Sequence, residues 1–251
     1  MICKLALEDG TVFTGEAFGA EGTQLGEVVF CTAMTGYQEI FTDPSYCGQI
    51  VAMTFPMIGN YGVNPQDVES ARPYLSGFVV RELPPRPSNY RATASFAELL
   101  RQHKVMGIAG IDTRALTRRL RMQGALRGAL STEVLDDLKL VQMAAGAPSM
   151  EGANLVDRVC GPVRDWSEPL WTPAAAAPPG PVDLAHAEDA PRRTRTQSVG
   201  APAADTHVVA FDCGIKSNIL RYLVDRGCRV TVVPAGTPAA KVRALKPDGL
   251  L

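Results

Sequence analysis

His207-Val208-Val209-Ala210-Phe211-Asp212, the helical stretch Ile215 to Arg226 and the run Arg229-Val230-Thr231-Val232-Val233 decide the fold of the C-terminal part of this chain. Val208 to Ala210 are consecutive apolar residues, and Val230, Val232 and Val233 nearly so, which suits parallel strands covered on both faces. Between them Ile219, Leu220, Leu223 and Val224 fall on one helical face, and Gly227 stands where a left-handed C-cap is wanted. Thr237-Pro238 then predicts a cap and first-turn proline for a second helix, with Val242 and Leu245 facing inward. Pro247-Asp248-Gly249 ends that helix, and Leu250-Leu251 begin a third strand. The expectation is the first βαβα of an open α/β sheet. Such sheets place their sites at the carboxyl ends of the strands, and the third of those ends lies past Leu251.

Immediately before this unit the composition changes. Thr172 to Asp205 is dominated by alanine and proline, with Val182, Leu184 and Val199 as the only larger aliphatics. Such a stretch buries too little apolar surface to offset its ordering entropy, so residues 161–206 are read as a flexible Ala/Pro-rich linker. Arg192, Arg193 and Arg195 within it are read as a solvated charge cluster.

The whole chain has 251 residues, 46% of them hydrophobic, and a net charge of −1. It is long enough for one large domain or two ordinary ones. Its charge balance implies neither a nucleic-acid nor an anionic-membrane partner. The N-terminus carries no basic region followed by a long apolar stretch, so the sequence predicts no signal peptide, no membrane span and a cytoplasmic location. Six cysteines, at 3, 31, 47, 160, 213 and 228, form no C-x-x-C pair, and the only histidines are 103, 186 and 207. No metal site is predicted, and the thiols are read as reduced and mostly structural.

Residues 1–160 read as a domain of mixed elements. Lys4 to Leu7, a Glu8-Asp9-Gly10 turn and Thr11 to Phe18 predict a hairpin. Further strands are expected at Glu27 to Thr32, Gln49 to Phe55, Gly77 to Arg81, Val105 to Ala109 and Ala125 to Leu130. Ser95-Phe96-Ala97-Glu98 is a capping box for a helix with Phe96, Leu99 and Leu100 inward. Asp112 caps the next, with Ala115, Leu116 and Leu120 on one face and Gly124 closing it. A third helix is expected from about Glu133 to Ala145. Strands first and helices later point to an α+β, β/β/α unit.

Thr32 to Tyr46 stands apart, being dense in hydroxyls, amides and turn formers between apolar strands. Its polar groups are expected to be held by neighbours. Two readings stay open at this level: a site, or a well-capped surface turn initiated by Asp43-Pro44, with Thr42 or Ser45 bonding the local backbone.

The runs Gly26-Glu27-Val28-Val29-Phe30, Met34-Thr35-Gly36-Tyr37-Gln38-Glu39, Thr42-Asp43-Pro44-Ser45-Tyr46 and Gly48-Gln49-Ile50 closely resemble the small, glutamine-hydrolysing subunit of carbamoyl-phosphate synthase. The likeness continues through Ile58-Gly59-Asn60-Tyr61-Gly62, Ser88-Asn89-Tyr90-Arg91 and Gly110 to Thr117. Past the linker, Phe211 to Arg221 is similar to the opening of that family's flavodoxin-like class I amidotransferase domain.

The resemblance implies hydrolysis of L-glutamine to glutamate and ammonia. The ammonia passes to a large subunit that makes carbamoyl phosphate from it with bicarbonate and ATP, for arginine and pyrimidine synthesis. It implies no cofactor in this chain, with ATP and Mg on the large subunit. The partners implied are that subunit, as a heterodimer, and L-glutamine. The family's catalytic cysteine, histidine and glutamate fall beyond Leu251, so residues 207–251 are expected to be an incomplete amidotransferase domain and this chain a catalytically inactive fragment. Of the family's glutamine contacts only Ser45 lies within it; a neutral hydroxyl, donor and acceptor at once, suits an amide or a zwitterion. The alternative reading is a module that only binds the large subunit.

Two residue-level rivals are weaker. Cys213 ends a strand and precedes a helix, as a nucleophile elbow does. However, Phe211 and Ile215 occupy places that want small residues, and His207 stands at the far end of the same strand, about 20 Å away at ~3.3 Å per residue. Gly214-Ile215-Lys216-Ser217 at a helix N-terminus suggests a phosphate cradle, but neither glycine-rich fingerprint is satisfied. Lys216 and Asn218 are read as organising the domain or its interface.

Overall fold

The computed structural model describes residues 1–170 and 205–251, in two compact units, Met1–Val159 and Cys160–Leu251. The part of the expected linker at 171–204 lies outside the described residues.

The first unit begins with the predicted hairpin, β1 (Ile2–Leu7) and β2 (Val12–Gly19), joined through Gly10 at φ +92°. β3 (Thr23–Cys31), α1 (Tyr37–Thr42), β4 (Gln49–Met53), β5 (Gly77–Val79), α2 (Phe96–Gln102), β6 (Met106–Ala109), α3 (Thr113–Gln123), β7 (Leu126–Ser131), α4 (Asp137–Ala145) and the single turn α5 (Val156–Val159) follow. The sequence reading did not anticipate closure: the seven strands form a barrel in the order β1-β2-β6-β5-β4-β3-β7. β3, β4, β5 and β6 run parallel to one another, and β6 pairs antiparallel with β2. β7 completes the ring by pairing antiparallel with both β1 and β3.

Strand alternation partitions the side chains. Cys3, Leu5, Leu7, Val28, Ile50, Ala52, Val79, Met106, Ile108 and Leu130 share one face and are fully or almost fully buried, joined by Leu116 and Leu120 of α3. The other face is covered on one flank by α4, whose Leu140 and Ala144 meet Ala6 and Ala129. On another flank an aromatic layer packs under α1 and α2. There Phe96 has ring centroids 5.0 Å from Tyr37, 5.5 Å from Phe41 and 5.1 Å from Phe78. Burying such a layer supplies ~1.5–3 kcal/mol per large side chain.

Helix starts follow the capping residues. Ser95 and Glu98 form the full capping box, and Asp112 accepts from the Ala115 amide. The third helix starts four residues later than expected, because Ser131 Oγ accepts from the amides of Glu133 and Val134 and holds them in a turn, leaving Asp136 as the cap. Ala115 is exposed, and Thr113 takes the expected inward place beside Leu116 and Leu120.

In the second unit β8 (Arg164–Trp166), β9 (His207–Asp212), α6 (Ser217–Asp225), β10 (Arg229–Pro234), α7 (Ala239–Ala244) and β11 (Gly249–Leu250) form a mixed sheet in the order β11-β9-β10-β8. β9 pairs parallel with β10 and β11. β8 corrects the linker expectation at its N-terminal end: residues 164–166 pair antiparallel with β10, Trp166 opposite Val230. Gly227 adopts the expected left-handed conformation, φ +86°. Two inward assignments and one cap assignment fail in detail. Ile219 is 40% exposed, Leu245 is 37% exposed, and Pro238, not Thr237, is the N-cap of α7. The Thr237 hydroxyl instead donates back to the Pro234 carbonyl at 2.7 Å.

Candidate functional site

Ser45 lies in a 3-10 turn, Pro44–Tyr46, directly after α1. Asp43 caps the turn by accepting from the Ser45 amide at 2.8 Å, and Pro44 fixes φ at its first position. Asp43 and Pro44 are buried while Ser45 is exposed. Among the described residues the Ser45 hydroxyl makes no hydrogen bond. The local-bond reading thus divides: Thr42 bonds the backbone, its hydroxyl donating to the Gln38 carbonyl at 2.9 Å, and Ser45 does not.

Six residues cannot stabilise a helix alone, and α1 is held by its neighbours. Its N-cap, Gly36, sits at φ +83° with no side-chain cap of its own. Tyr61 provides one: its hydroxyl accepts from the Gly36 amide at 2.6 Å and the Tyr37 amide at 3.1 Å. The Tyr61 and Tyr37 rings stack at 4.1 Å, and the Tyr37 hydroxyl donates to the Gly62 carbonyl at 2.6 Å. Gln38 pairs with Asn64 as one strand residue pairs with another, its amide donating to the Asn64 carbonyl and accepting from the Asn64 amide. At the other end the Glu69 amide donates to the Thr42 hydroxyl, and the Ser70 hydroxyl donates to the Thr42 carbonyl. Asn64 is itself fixed by Asp67, which pairs with Arg91 at 2.7 Å.

Burial sets the electrostatics here. It pushes the Glu39 carboxyl above its ordinary range, with Asp67 and Glu69 adding repulsion that Arg91 only partly offsets. Glu39 Oε2 and Asn60 Oδ1 are buried without a hydrogen-bond partner. Burial likewise raises the Tyr37, Tyr46 and Tyr61 phenols, so each stays a neutral donor and acceptor; the Cys31 thiol beside Tyr46 adds to the effect.

In the second unit Asp212 is the polar hub. Its carboxylate accepts from the amides of Gly161, Gly214 and Ile215 and from Arg164 at 2.9 Å. Burial alone would raise its pKa; Arg164 and the three amides outweigh burial and hold it below the usual carboxylate range. Cys213 is exposed and follows β9 directly, whereas His207 opens β9 and is bracketed by the Leu245 carbonyl and the Thr231 hydroxyl. The two lie at opposite ends of the strand, and no nucleophile–base pair is formed. Among the described residues no group of His, Cys, Asp and Glu is arranged to hold a metal ion, and no helix is long and apolar enough to cross a membrane.

One unit is a closed barrel carrying a capped, serine-bearing turn and the other a small sheet with a parallel core, which defines a two-unit α/β protein. Residues 5–130 match the family model for the carbamoyl-phosphate synthase small chain, CPSase domain. The chain is 53% identical over 247 residues to the carbamoyl phosphate synthase small chain of Syntrophotalea carbinolica, covering 98% of this chain and 60% of that protein. It is 47% identical over 251 residues to that of a Nostoc species, 100% of this chain and 60% of the relative, and 49% identical over 246 residues to that of Akkermansia muciniphila, 98% and 60%. This chain belongs to the carbamoyl-phosphate synthase small chain family. It spans about 60% of the length of these curated relatives.

Motif reading singled out Ser45 but not what holds it. Tyr61 and Ser70 act through hydrogen bonds to backbone more than twenty residues away, and Asn64 through its own backbone to the Gln38 side chain, relations that no local spacing encodes.

Proposed function

We propose that this chain is the glutamine-handling small subunit of carbamoyl-phosphate synthase over residues 1–251. Its first unit is a β/β/α domain, and its second is the opening of a flavodoxin-like class I amidotransferase domain. In this reading the subunit releases ammonia from L-glutamine and hands it to a large chain, which carries ATP and Mg and forms carbamoyl phosphate in the cytoplasm. One observation carries the proposal. In a member of this family, the Asp43-capped turn presents a Ser45 hydroxyl that is exposed and uncommitted, poised to donate to or accept from an amino-acid substrate.

The experiment joins residues 1–251 to the remaining segment of a curated relative and compares glutamine-dependent with ammonia-dependent carbamoyl phosphate synthesis. Ser45→Ala should weaken glutamine use by about tenfold, the cost of one hydrogen bond to a charged or strongly polar group, and leave ammonia use unchanged. Unchanged glutamine kinetics would remove Ser45 from the site.

A second reading, that residues 1–251 by themselves only bind the large chain, is favoured by the separation of Cys213 from His207 along β9. It expects no glutaminase turnover above background from the 251-residue chain, and measurable turnover would overturn it.

A further inference from the structure

α3 buries Thr113, Leu116 and Leu120. Its opposite side carries Arg114, Arg118 and Arg121, all exposed. At 100° per residue these three lie within a sector of about 60° and span about 10 Å along the axis. The helix contains no acidic residue, and among the described residues none of the three makes an ion pair. Elsewhere in the unit Lys4, Arg91 and Arg127 are paired with Asp137, Asp67 and Glu8, and on α3 itself Arg119 is taken by Asp9.

This face opposes its own helix. Arg114 and Arg118 repel at i,i+4, Arg118 and Arg121 at i,i+3, and Arg114 sits in the first turn, where the macrodipole disfavours a cation. A face required only for solubility is served as well by lysine, or by mixed charges. All three are arginine, whose planar fork suits bidentate carboxylate pairing. Beside them Met122 is 84% exposed. Arginine and methionine, with lysine absent, is the composition enriched at protein interfaces.

We propose that the Arg114-Arg118-Arg121 face of α3 is a docking surface for a cluster of carboxylates on the large chain of carbamoyl-phosphate synthase, with Met122 seated at its edge; this rests on the small-subunit reading above. A protein partner fits better than a nucleic acid. The whole chain has a net charge of −1, so it offers no broad basic field, and a patch about 10 Å long matches a few carboxylates better than a phosphate backbone.

The test measures binding of the 251-residue chain to the large chain encoded in the same genome, by calorimetry at low and high salt, alongside a duplex DNA probe. Arg114→Glu/Arg118→Glu/Arg121→Glu should weaken association by at least about a hundredfold, and the corresponding triple Gln variant by about tenfold. Wild-type affinity should fall with salt while the Gln variant's barely changes. Circular dichroism melts of the variants, whose changes are all exposed, establish that each is folded. Wild-type binding matched by the Glu variant within twofold would overturn the docking face and leave the subunit reading standing. Absence of any wild-type association would overturn the partnership and the face together. Duplex DNA binding lost in the variants, with large-chain binding kept, would assign the face to nucleic acid and overturn the proposal.

Discussion

Replacing Tyr61 by phenylalanine removes one oxygen and keeps the ring that stacks on Tyr37. That oxygen is the acceptor for two backbone amides, Gly36 at 2.6 Å and Tyr37 at 3.1 Å. Both belong to the N-terminus of α1, where Gly36 has no side-chain cap to offer. A buried donor left without an acceptor costs about 1–3 kcal/mol. Gly36 is only partly buried and can recover some hydration, whereas Tyr37 is 1% exposed and cannot. The net loss is therefore about 2 kcal/mol, close to the upper end of the usual effect of losing an N-cap. For a domain of this size that lowers the melting temperature by about 4–8 °C. Hydrogen exchange gives the local readout: the Gly36 and Tyr37 amides should lose protection in Tyr61→Phe by more than amides of β1 or β7. A melting temperature within 1 °C of wild type (about the resolution of a quarter of a kcal/mol here), with both amides still protected, would show that the hydroxyl does not hold α1.

Three further outcomes follow from the same structure. Phe96→Ala, which empties the centre of the aromatic layer under α1 and α2, should cost about 3–5 kcal/mol in urea unfolding; a loss below about 1 kcal/mol would mean that the layer is not a tight core. Glu39 has a folded-state pKa raised by burial, so its contribution is fully present below the unfolded carboxylate value and is lost as pH rises through the folded value. Glu39→Gln should therefore raise the melting temperature at neutral pH and make no difference in acid, and a neutral-pH loss would contradict the assignment. Asp212 has the opposite sign. Its depressed pKa gives stability that is present above the ordinary aspartate value of about 4 and lost as pH falls through the folded value. Protection of the Gly161 and Gly214 amides should therefore persist in wild type at the ordinary aspartate value, collapse only as pH falls further, through the depressed folded value, and be weak at every pH in Asp212→Ala. Equal protection in the two proteins would remove Asp212 as the hub.

How much the sequence disclosed depended on whether the signal was local. The runs around Val208 and Val230, the Ser95-Glu98 box, the Asp112 cap and the left-handed Gly227 are each specified within a few neighbouring residues, and each is present. Barrel closure was not legible, because it depends on β7 pairing with both β1 and β3, partners about a hundred or more positions away. β8 was lost in an apparent linker for the same reason: three residues, one of them Asp165 and one Arg164, carry no strand signal of their own until β10 pairs with them and Asp212 binds Arg164. Ile219 and Leu245 show the limit of periodicity, which names an apolar stripe without saying how wide a surface exists to cover it.

The candidate site was half legible, and the missing half explains how it is built. Ser45 stood out by its motif, yet Tyr37 to Thr42 favours a helix only weakly: Gln38 and Glu39 stand against a glycine N-cap, two aromatics and two β-branched residues over a single turn and a half. That helix exists because the loop from Tyr61 to Ser70 supplies its hydrogen bonds at both ends, through Tyr61 and Asn64 at one and Glu69 and Ser70 at the other. Thr42, which closes this clamp, directly precedes Asp43, which caps the Ser45 turn. The serine is therefore placed by a polar clamp acting together with the apolar core on which Tyr37 and Phe41 sit. A change at Ser70, which removes a bond to the Thr42 carbonyl and lies outside the barrel strands, should therefore loosen the Ser45 turn and leave the melting temperature of the barrel nearly unchanged, and a large loss of stability would contradict this.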